Sequence, residues 1–355
     1  MSTFDPEVNF APRFPKDYNP GIGIIGCGGI VKSAHLPAYN KNNLNVLGIY
    51  DISAEATAGV REKFGVKQVY GDLDEMLANP EIQIIDIATH PAQRIELIRR
   101  ALEAGKHVLA QKPLALDLYE ARDVVQEAAK RGLKLAVNQN GRWSPPWRIA
   151  TLLIQSGAIG EVSAVTHSFE MRFDFIPGTV FDDINHYAIY DYSVHWIDIT
   201  RCWLENKPIK CVRARDYRTP DQSPKAKANW GHWVETEYKD GSSGMLRGAA
   251  CTYSGAPHVG HPFVIHGTEG TIRGNVLGSD DYVRIETKSG IFNYQLQGSW
   301  FPDGFAGTMG ELMCSIAEDR EPYNSARHNL LSLQITLTAC VSADREGAAI
   351  PIQEV

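Results

Sequence analysis

The chain has 355 residues, which is enough for two domains of ordinary size. Hydrophobic residues make up 43% and charged residues 22%, so a core stabilised by neither disulfides nor metal is expected. The formal net charge of −7 argues against a basic face for nucleic acid or an anionic membrane surface. No apolar run approaches the roughly 20 residues of a membrane-spanning helix, and the N-terminal segment lacks the pattern of a secretory signal.

The first part of the chain is predicted to form an irregular extension, 1–20, and a domain, 21–142. In this domain, strands are predicted over 21–26, 45–50, 82–88, 107–110 and 133–138. Helices are predicted over 54–64, 73–78, 92–104 and 118–130. Gly105 and Asp117 are expected to cap two of these helices. The alternation predicts a parallel α/β sheet covered on both faces.

The remainder, 143–355, is predicted to form a second domain that binds substrate and mediates oligomerisation, with the option that its last residues pack back on the first. A helix is expected over 146–155, and then a long alternating run whose apolar positions are Val165, Phe169, Met171, Phe173 and Phe175. Further strands are predicted over 209–216, 232–239, 244–251, 262–266, 271–275, 282–287 and 291–296. With closing helices over 305–318 and 325–343, the pattern predicts an α+β domain on an open, mostly antiparallel sheet.

A glycine pair follows the first predicted strand in the segment GIIGCGGIV. Gly26 permits a tight turn, and Gly28 allows the backbone to approach a pyrophosphate. Asp51 ends the second strand, where a carboxylate binds the adenosine ribose and repels a 2′-phosphate. The sequence therefore predicts a dinucleotide site that prefers NAD to NADP, although Asp51 could instead cap the next helix, a task that Ser53 could also perform. Val31 occupies a position that is usually glycine or alanine.

Two further segments carry polar residues suited to catalysis. Lys112 follows a parallel strand and is expected to point into the cofactor crevice, unless it is an ordinary surface lysine. If residues 191–198 are helical, Asp191 and His195 share a face, and Asp198 either joins them or serves packing. A zinc site is the alternative, but no Cys or His spacing supports it, so no metal is expected. The six scattered cysteines favour reduced thiols in a cytoplasm.

These segments together resemble the Gfo/Idh/MocA oxidoreductases, the relatives of glucose–fructose oxidoreductase and inositol 2-dehydrogenase. The resemblance runs from about residue 21 to residue 352 and includes ALEAGKHVLAQKPLAL, SGAIGEV and HGTEGTIRGN. It implies a Rossmann domain followed by a domain whose free sheet face makes a homodimer or homotetramer interface. It also implies an NAD-dependent dehydrogenase of carbohydrate metabolism that acts on a sugar, polyol or glycoside.

The resemblance also implies roles for individual residues. Lys112, Asp191 and His195 match the catalytic set, and with Arg142 they are the expected substrate-binding residues. Gln111 replaces a glutamate that binds the nicotinamide-side ribose, and its amide can still bond a hydroxyl. Family members often carry a histidine where this chain has Arg94, to which no role is assigned. The expected cofactor-binding residues are Gly26, Gly28, Gly29, Ile30, Asp51, Thr89, His90, Gln111 and Asn140.

The implied chemistry removes the hydroxyl proton of a secondary alcohol while hydride leaves the same carbon. A histidine suits the base, and a lysine suits stabilisation of the alkoxide. The sequence leaves open which of His195 and Lys112 transfers the proton, and whether Asp191 orients His195 or binds a substrate hydroxyl. Two other functions stay open: a glycoside-processing enzyme that recycles its NAD, and a catalytically silent NAD-binding regulator.

Overall fold

A computed structural model describes residues 8–250 and 260–352 of the chain. These residues fall into two compact units. The first unit comprises Ala11–Trp143 and Ser299–Leu330. The second comprises Ser144–Gly298 and the described residues of the segments before Ala11 and after Leu330. The described residues include no helix that is long and apolar enough to cross a membrane.

The first unit is built on a six-stranded parallel sheet with the order β3-β2-β1-β4-β5-β6. The strands are β1 (Gly21–Ile25), β2 (Val46–Tyr50), β3 (Gln68–Val69), β4 (Ile82–Ile87), β5 (His107–Gln111) and β6 (Leu135–Asn138). The predicted parallel sheet is thus confirmed. The sequence did not predict β3, because two residues are too few to show a period.

The helices of this sheet are α1 (Leu36–Lys41), α2 (Ala54–Phe64), α3 (Leu73–Ala78), α4 (Pro91–Glu103) and α5 (Leu118–Lys130). Their ends follow the predicted capping. The Asp117 side chain accepts from the main-chain N–H of Glu120 at 3.0 Å at the start of α5. Gly105 follows α4 with φ +74°, a conformation that suits glycine. Local sequence signals therefore determine where these helices begin and end.

The second unit is built on a nine-stranded sheet with the order β14-β13-β12-β11-β7-β10-β9-β8-β15. Its strands are β7 (Val162–Phe169), β8 (Ile209–Tyr217), β9 (Gly231–Tyr238), β10 (Ser243–Gly248), β11 (His261–Gly267), β12 (Gly270–Val276), β13 (Tyr282–Thr287), β14 (Gly290–Asn293) and β15 (Ile350–Pro351). Among the described strands of this second sheet, only β7 and β10 pair in parallel. The predicted mostly antiparallel sheet is confirmed, and residue 251 of the predicted strand 244–251 lies outside the described residues.

The long alternating run predicted through residue 175 is wrong in its second half. Strand β7 ends at Phe169, where its pairing with neighbouring strands ends. Phe173 is fully buried, whereas Phe175 is 54% exposed, so the two do not share one face. Helices α6 (Pro145–Gln155) and α7 (Val194–Trp203) belong to this unit.

The chain returns to the first unit through α8 (Phe305–Ala317), which the sequence analysis placed in the second domain. Phe305, Met309 and Leu312 of α8 lie in the same buried cluster as Ile22 and Ile24 of β1. Helix α9 (Ala326–Asp344) begins in the first unit and ends in the second. Residues from 331 onward therefore belong to the second unit, and residues 299–330 complete the core of the first.

Candidate functional site

The glycine loop follows β1 in the first unit. Gly26 has φ +98°, and a Cβ there would lie 2.8 Å from the carbonyl oxygen of Ala88. A Cβ added at Gly28 or Gly29 would meet no protein atom within 4 Å. Gly26 is therefore required by the fold, whereas Gly28 and Gly29 leave room for a ligand. The loop leads into a π-helical turn, Val31–His35, in which Val31 is fully buried.

Asp51 connects this loop to the end of β2. Its Oδ2 accepts the main-chain N–H of Cys27 at 2.7 Å, and its Oδ1 accepts that of Ser53 at 2.8 Å. The Ser53 hydroxyl oxygen accepts the N–H of Ala56, so Ser53 caps α2 and Asp51 does not. Burial, with the Asp51 carboxylate beside it, raises the pKa of the Cys27 thiol to about 12. Cys27 is thus a neutral thiol, and Asp51 is the negative charge at this edge.

A cleft of about 660 Å³ opens beside these residues, at the carboxyl ends of β1, β2 and β4. Its walls include Gly26, Gly28, Asp51, Thr89 and His90, all of which were predicted to contact a cofactor. Its lining also includes apolar surface from Tyr50, Ile52 and Leu97 and the charged side chains of Glu96 and Arg100. Such a volume, with an acid on one wall and an open glycine loop on another, fits the adenosine and pyrophosphate portion of a dinucleotide.

The turn after β5 carries the next predicted residues. Gln111 is 6% exposed, and its Oε1 accepts the main-chain N–H of Lys112 at 2.9 Å. Lys112 is partly exposed, and the peptide bond to Pro113 is cis. The Arg94 guanidinium donates to the carbonyl oxygens of Pro113 and Thr89. Arg94, for which the sequence suggested no role, therefore connects the loops after β4 and β5.

Asn140 and Arg142 lie in a 3-10 turn after β6 and have partners within the first unit. Asn140 accepts the indole N–H of Trp300 at 2.6 Å. Arg142 is 1% exposed and donates to the carbonyl oxygen of Tyr323 at 2.5 Å. Its guanidinium also lies 5.0 Å from the centre of the Tyr323 ring. The cofactor contact of Asn140 and the substrate contact of Arg142 stay predictions.

In the second unit, the segment of Asp191 and His195 is helical in two pieces. Asp191 lies in a π-helical turn, Ala188–Tyr192, and His195 in the first turn of α7, with Ser193 at the junction. Asp191 is 8% exposed and His195 is partly exposed. The His232 Nε2 lies 2.8 Å from the Ser193 hydroxyl at this junction. The sequence analysis placed the two residues on one face on the condition that this segment is helical, and the segment is helical with a change of geometry between them.

Asp198 serves packing, one of the two roles that the sequence left open. It is 1% exposed and accepts the hydroxyl of Ser332 from α9 at 2.6 Å. Over the described ranges, no group of three or more His, Cys, Asp or Glu side chains is arranged to hold a metal ion.

Sequence comparison assigns both parts of the chain to one class. Residues 21–139 match the model of an oxidoreductase family with an NAD-binding Rossmann fold, and residues 147–273 match the GFO/IDH/MocA C-terminal domain. The first unit therefore contains the NAD-binding Rossmann domain of an oxidoreductase. The chain belongs to the Gfo/Idh/MocA family, which confirms the predicted family and cofactor.

Curated and solved relatives cover nearly the whole chain. D-apiose dehydrogenase of Paraburkholderia graminis is 25% identical over 94% of this chain and 89% of its own. An oxidoreductase from Agrobacterium radiobacter, solved with NAD+, L-tartaric acid and magnesium, has TM-score 0.83 at 23% identity and covers 94% of this chain and 98% of its own. Levoglucosan dehydrogenase, solved with NADH and levoglucosan, has TM-score 0.80 at 20% identity, over 95% and 100%. The two structural likenesses establish the fold.

Proposed function

We propose that this protein is an NAD-dependent dehydrogenase that oxidises a secondary alcohol of a sugar or polyol. The observation that carries the proposal is the cleft lined by the glycine loop and by Asp51, which is hydrogen-bonded to that loop. Such a lining favours NAD, a cofactor that accepts hydride. Family membership supports the reaction class. The names of two relatives, D-apiose dehydrogenase and levoglucosan dehydrogenase, support a carbohydrate as the substrate class.

NAD, when bound, supplies the nicotinamide carbon that accepts hydride. The protein's task is to take the hydroxyl proton and to stabilise the developing alkoxide. We assign the base to His195, because an imidazole gains and loses a proton near neutral pH. Lys112 supplies positive charge and a hydrogen bond to the alkoxide oxygen. The roles are separable, because loss of a base changes the pH dependence of turnover, and loss of a cation lowers turnover at every pH.

The remaining predicted residues hold ligands. Asp191, next to the junction at Ser193, orients His195 or bonds a substrate hydroxyl. Thr89 and His90 line the cleft on the side of β4, where they contact the dinucleotide. Gln111 and Asn140 offer amide groups to it, with Gly29 and Ile30 in the loop beside the phosphates. Arg142 contributes to substrate binding through the segment of Tyr323, to whose carbonyl oxygen it donates.

The test follows the formation of reduced nicotinamide by its absorbance. Purified protein is given NAD or NADP with a panel of pentoses, hexoses, anhydrosugars, inositols and sugar acids. The expected result is turnover with NAD that falls by at least about a hundredfold in His195→Ala and in Lys112→Ala. Lys130→Ala, at an exposed position of α5, is the matched control for the lysine and retains the wild-type rate.

The other functions give different outcomes. Turnover that is unchanged in His195→Ala removes this residue from the mechanism. A preparation that holds nicotinamide through purification and acts on glycosides without added NAD indicates the cofactor-recycling enzyme. Reversible NAD binding without turnover on any member of the panel contradicts the proposal and favours the regulator.

We also propose that the chain self-associates through the more exposed face of the second unit's sheet. One row of paired residues on that face runs through Val264, Thr166 and Met245, which lie side by side at its centre. Arg273 and Glu235 flank this apolar centre. An apolar centre with a charged rim is the usual anatomy of a protein interface. A homodimer or homotetramer would cover it.

Light scattering on the purified protein tests this surface. The expected mass is that of two or four chains, and Thr166→Arg shifts it toward one chain because it places a charge at the centre of the row. A single-chain mass for the wild type contradicts the proposal.

We also propose a cytoplasmic location. The described cysteines are free thiols, which supports it.

A further inference from the structure

A buried polar chain lies beneath the turn that carries Lys112. His35, at the end of the π-helical turn, and Asp86, on β4, are both fully buried, and the His35 Nδ1 lies 2.6 Å from the Asp86 Oδ2. The Tyr39 hydroxyl donates to the same Asp86 oxygen at 2.6 Å. On the other side of the ring, the His35 Nε2 lies 3.0 Å from the amide nitrogen of Gln111. This polar chain of hydrogen-bonded side chains thus runs from a buried carboxylate to the residue before Lys112.

The orientation of the Gln111 amide determines which nitrogen of His35 carries a proton in this polar chain. The main-chain N–H of Lys112 donates to Oε1 of Gln111, so the NH₂ group faces His35. An amide nitrogen can only donate, so the His35 Nε2 must accept. His35 is therefore a neutral imidazole that carries its proton on Nδ1 and donates a hydrogen bond from it to Asp86. The titratable groups in contact with His35 are Asp86 and Tyr39, and the Phe305 ring of α8 lies 4.9 Å away between ring centres.

The turn itself is bonded at two points that flank the Lys112 side chain. Gln111 bonds the main-chain N–H of Lys112, and Arg94 bonds the carbonyl oxygen of Pro113. A side chain that leaves such a segment starts from a fixed backbone. Groups that react with a substrate need such a fixed backbone, since a misplacement of about 1 Å can lower the rate by about a hundredfold.

We propose that His35, held as a neutral imidazole by Asp86, is a positioning residue for Lys112 that acts through the side-chain amide of Gln111. This inference rests on the proposed function, in which Lys112 stabilises the alkoxide. It also gives a reason for the amide that stands at position 111 of this chain in place of the glutamate of its relatives. A carboxylate there could accept the N–H of Lys112 but would face a second acceptor at His35 Nε2. The carboxylate and the His35 Nε2 can form a hydrogen bond only when an additional proton is bound between them.

A set of four proteins tests the proposal: Gln111→Glu, His35→Gln, the double variant, and Gln126→Glu as the matched control at an exposed position of α5. We expect kcat of Gln111→Glu to fall by about tenfold to a hundredfold, with a much smaller change in sugar KM. Its pH profile gains an ionisation that the wild type and Gln126→Glu lack. In the double variant, the amide introduced at position 35 can donate to the new carboxylate, so kcat recovers and the added ionisation disappears.

A purely structural network gives another pattern. The single variants would then lose thermal stability, while kcat and its pH profile per folded molecule stay as in the wild type. That result, or a double variant whose losses simply add, overturns the proposal. If the wild type turns over no member of the sugar panel, the proposed function fails as well, whereas an active wild type with unaffected variants removes only the positioning role.

One measurement needs no variant and no turnover. Nitrogen NMR of the histidine side chains distinguishes a neutral ring protonated on Nδ1 from the other tautomer and from imidazolium. We expect the Nδ1-protonated form at His35 in the wild type and imidazolium in Gln111→Glu under mildly acidic conditions. The Nε2-protonated tautomer in the wild type contradicts the proposed chain of hydrogen bonds.

Discussion

The carboxylate of Asp51 accepts the main-chain N–H of Cys27 at 2.7 Å, so the acid after β2 is joined to the glycine loop after β1. Its second oxygen accepts the N–H of Ser53 at 2.8 Å. Two backbone donors hold the carboxylate beside the cleft. The preference for NAD over NADP that we propose therefore depends on a residue that also organises the loop.

Replacement of this acid should weaken the discrimination between cofactors. In Asp51→Ser, we expect NAD affinity to fall by about tenfold to a hundredfold, because charged hydrogen bonds of about 1.5–3 kcal/mol are lost. NADP affinity should rise relative to NAD, because no carboxylate repels its 2′-phosphate. Fluorescence titration with both cofactors measures the ratio of the two dissociation constants. An unchanged ratio contradicts the assignment of Asp51.

The two loop glycines should respond differently to alanine. Gly26→Ala should reduce the free energy of unfolding by about 1–3 kcal/mol, because Gly26 has φ +98° and a Cβ would lie 2.8 Å from the Ala88 oxygen. Gly28→Ala should leave stability unchanged, since its Cβ meets no protein atom. Its NAD affinity should nevertheless fall by about tenfold or more, because the methyl group occupies the space of the pyrophosphate. Denaturant unfolding and NAD titration, run on both variants, separate the two effects. A Gly28→Ala variant that binds NAD as the wild type does contradicts the placement of the phosphates.

Two buried histidines should make the second unit sensitive to acid. Burial lowers the pKa of His232 to about 4 and that of His167 to about 3. Between these values and the ordinary pKa near 6.5, the unfolded chain binds protons that the folded chain excludes. Each histidine therefore costs about 2 kcal/mol of unfolding free energy as pH falls from about 7 to about 5. Urea unfolding at the two pH values measures the loss, and equal stability at both contradicts the buried neutral state.

His186 should act in the opposite direction. Hydrogen bonds to Asp216 at 2.9 Å and to Asp344 at 3.1 Å raise its pKa. A raised pKa stabilises the fold below the unfolded value, and the contribution disappears as pH rises through the folded value. His186→Gln should therefore destabilise the protein more at about pH 6 than at about pH 9. An effect that is equal at both values would show that His186 does not bind a proton on folding.

Much of the fold followed from local sequence signals. Helix α2 was predicted with its correct bounds because Ser53 caps its start and Gly65, with φ +67°, follows its end. Strand β7 was predicted too long because alternation of apolar residues continues past Phe169, while pairing with β10 does not. Alternation reports which side chains are apolar, and only neighbouring strands determine where a strand ends.

The candidate site was only partly predictable, because its connections are not local. The glycine loop, Asp51 and Lys112 stand at positions that a parallel sheet brings to one edge. The bond from Gln111 to His35 joins residues 76 positions apart, and no spacing in the sequence predicts it. The same holds for α8, which completes the first unit although long stretches of the second unit precede it in the chain. Arg94 was left without a role because relatives often carry a histidine at its position, and the sequence does not show that its two carbonyl partners, which belong to different loops, lie beside it.

In the proposed reaction, hydride passes from a carbohydrate alcohol to NAD. The most direct measurement uses the sugar found most active in the panel, deuterated at its alcohol carbons, and mass spectrometry of the reduced cofactor. We expect one deuterium on the nicotinamide ring, a slower rate than with the unlabelled sugar, and loss of transfer in His195→Ala. Reduced cofactor without deuterium would show that its hydride comes from elsewhere, and it would contradict the proposed reaction.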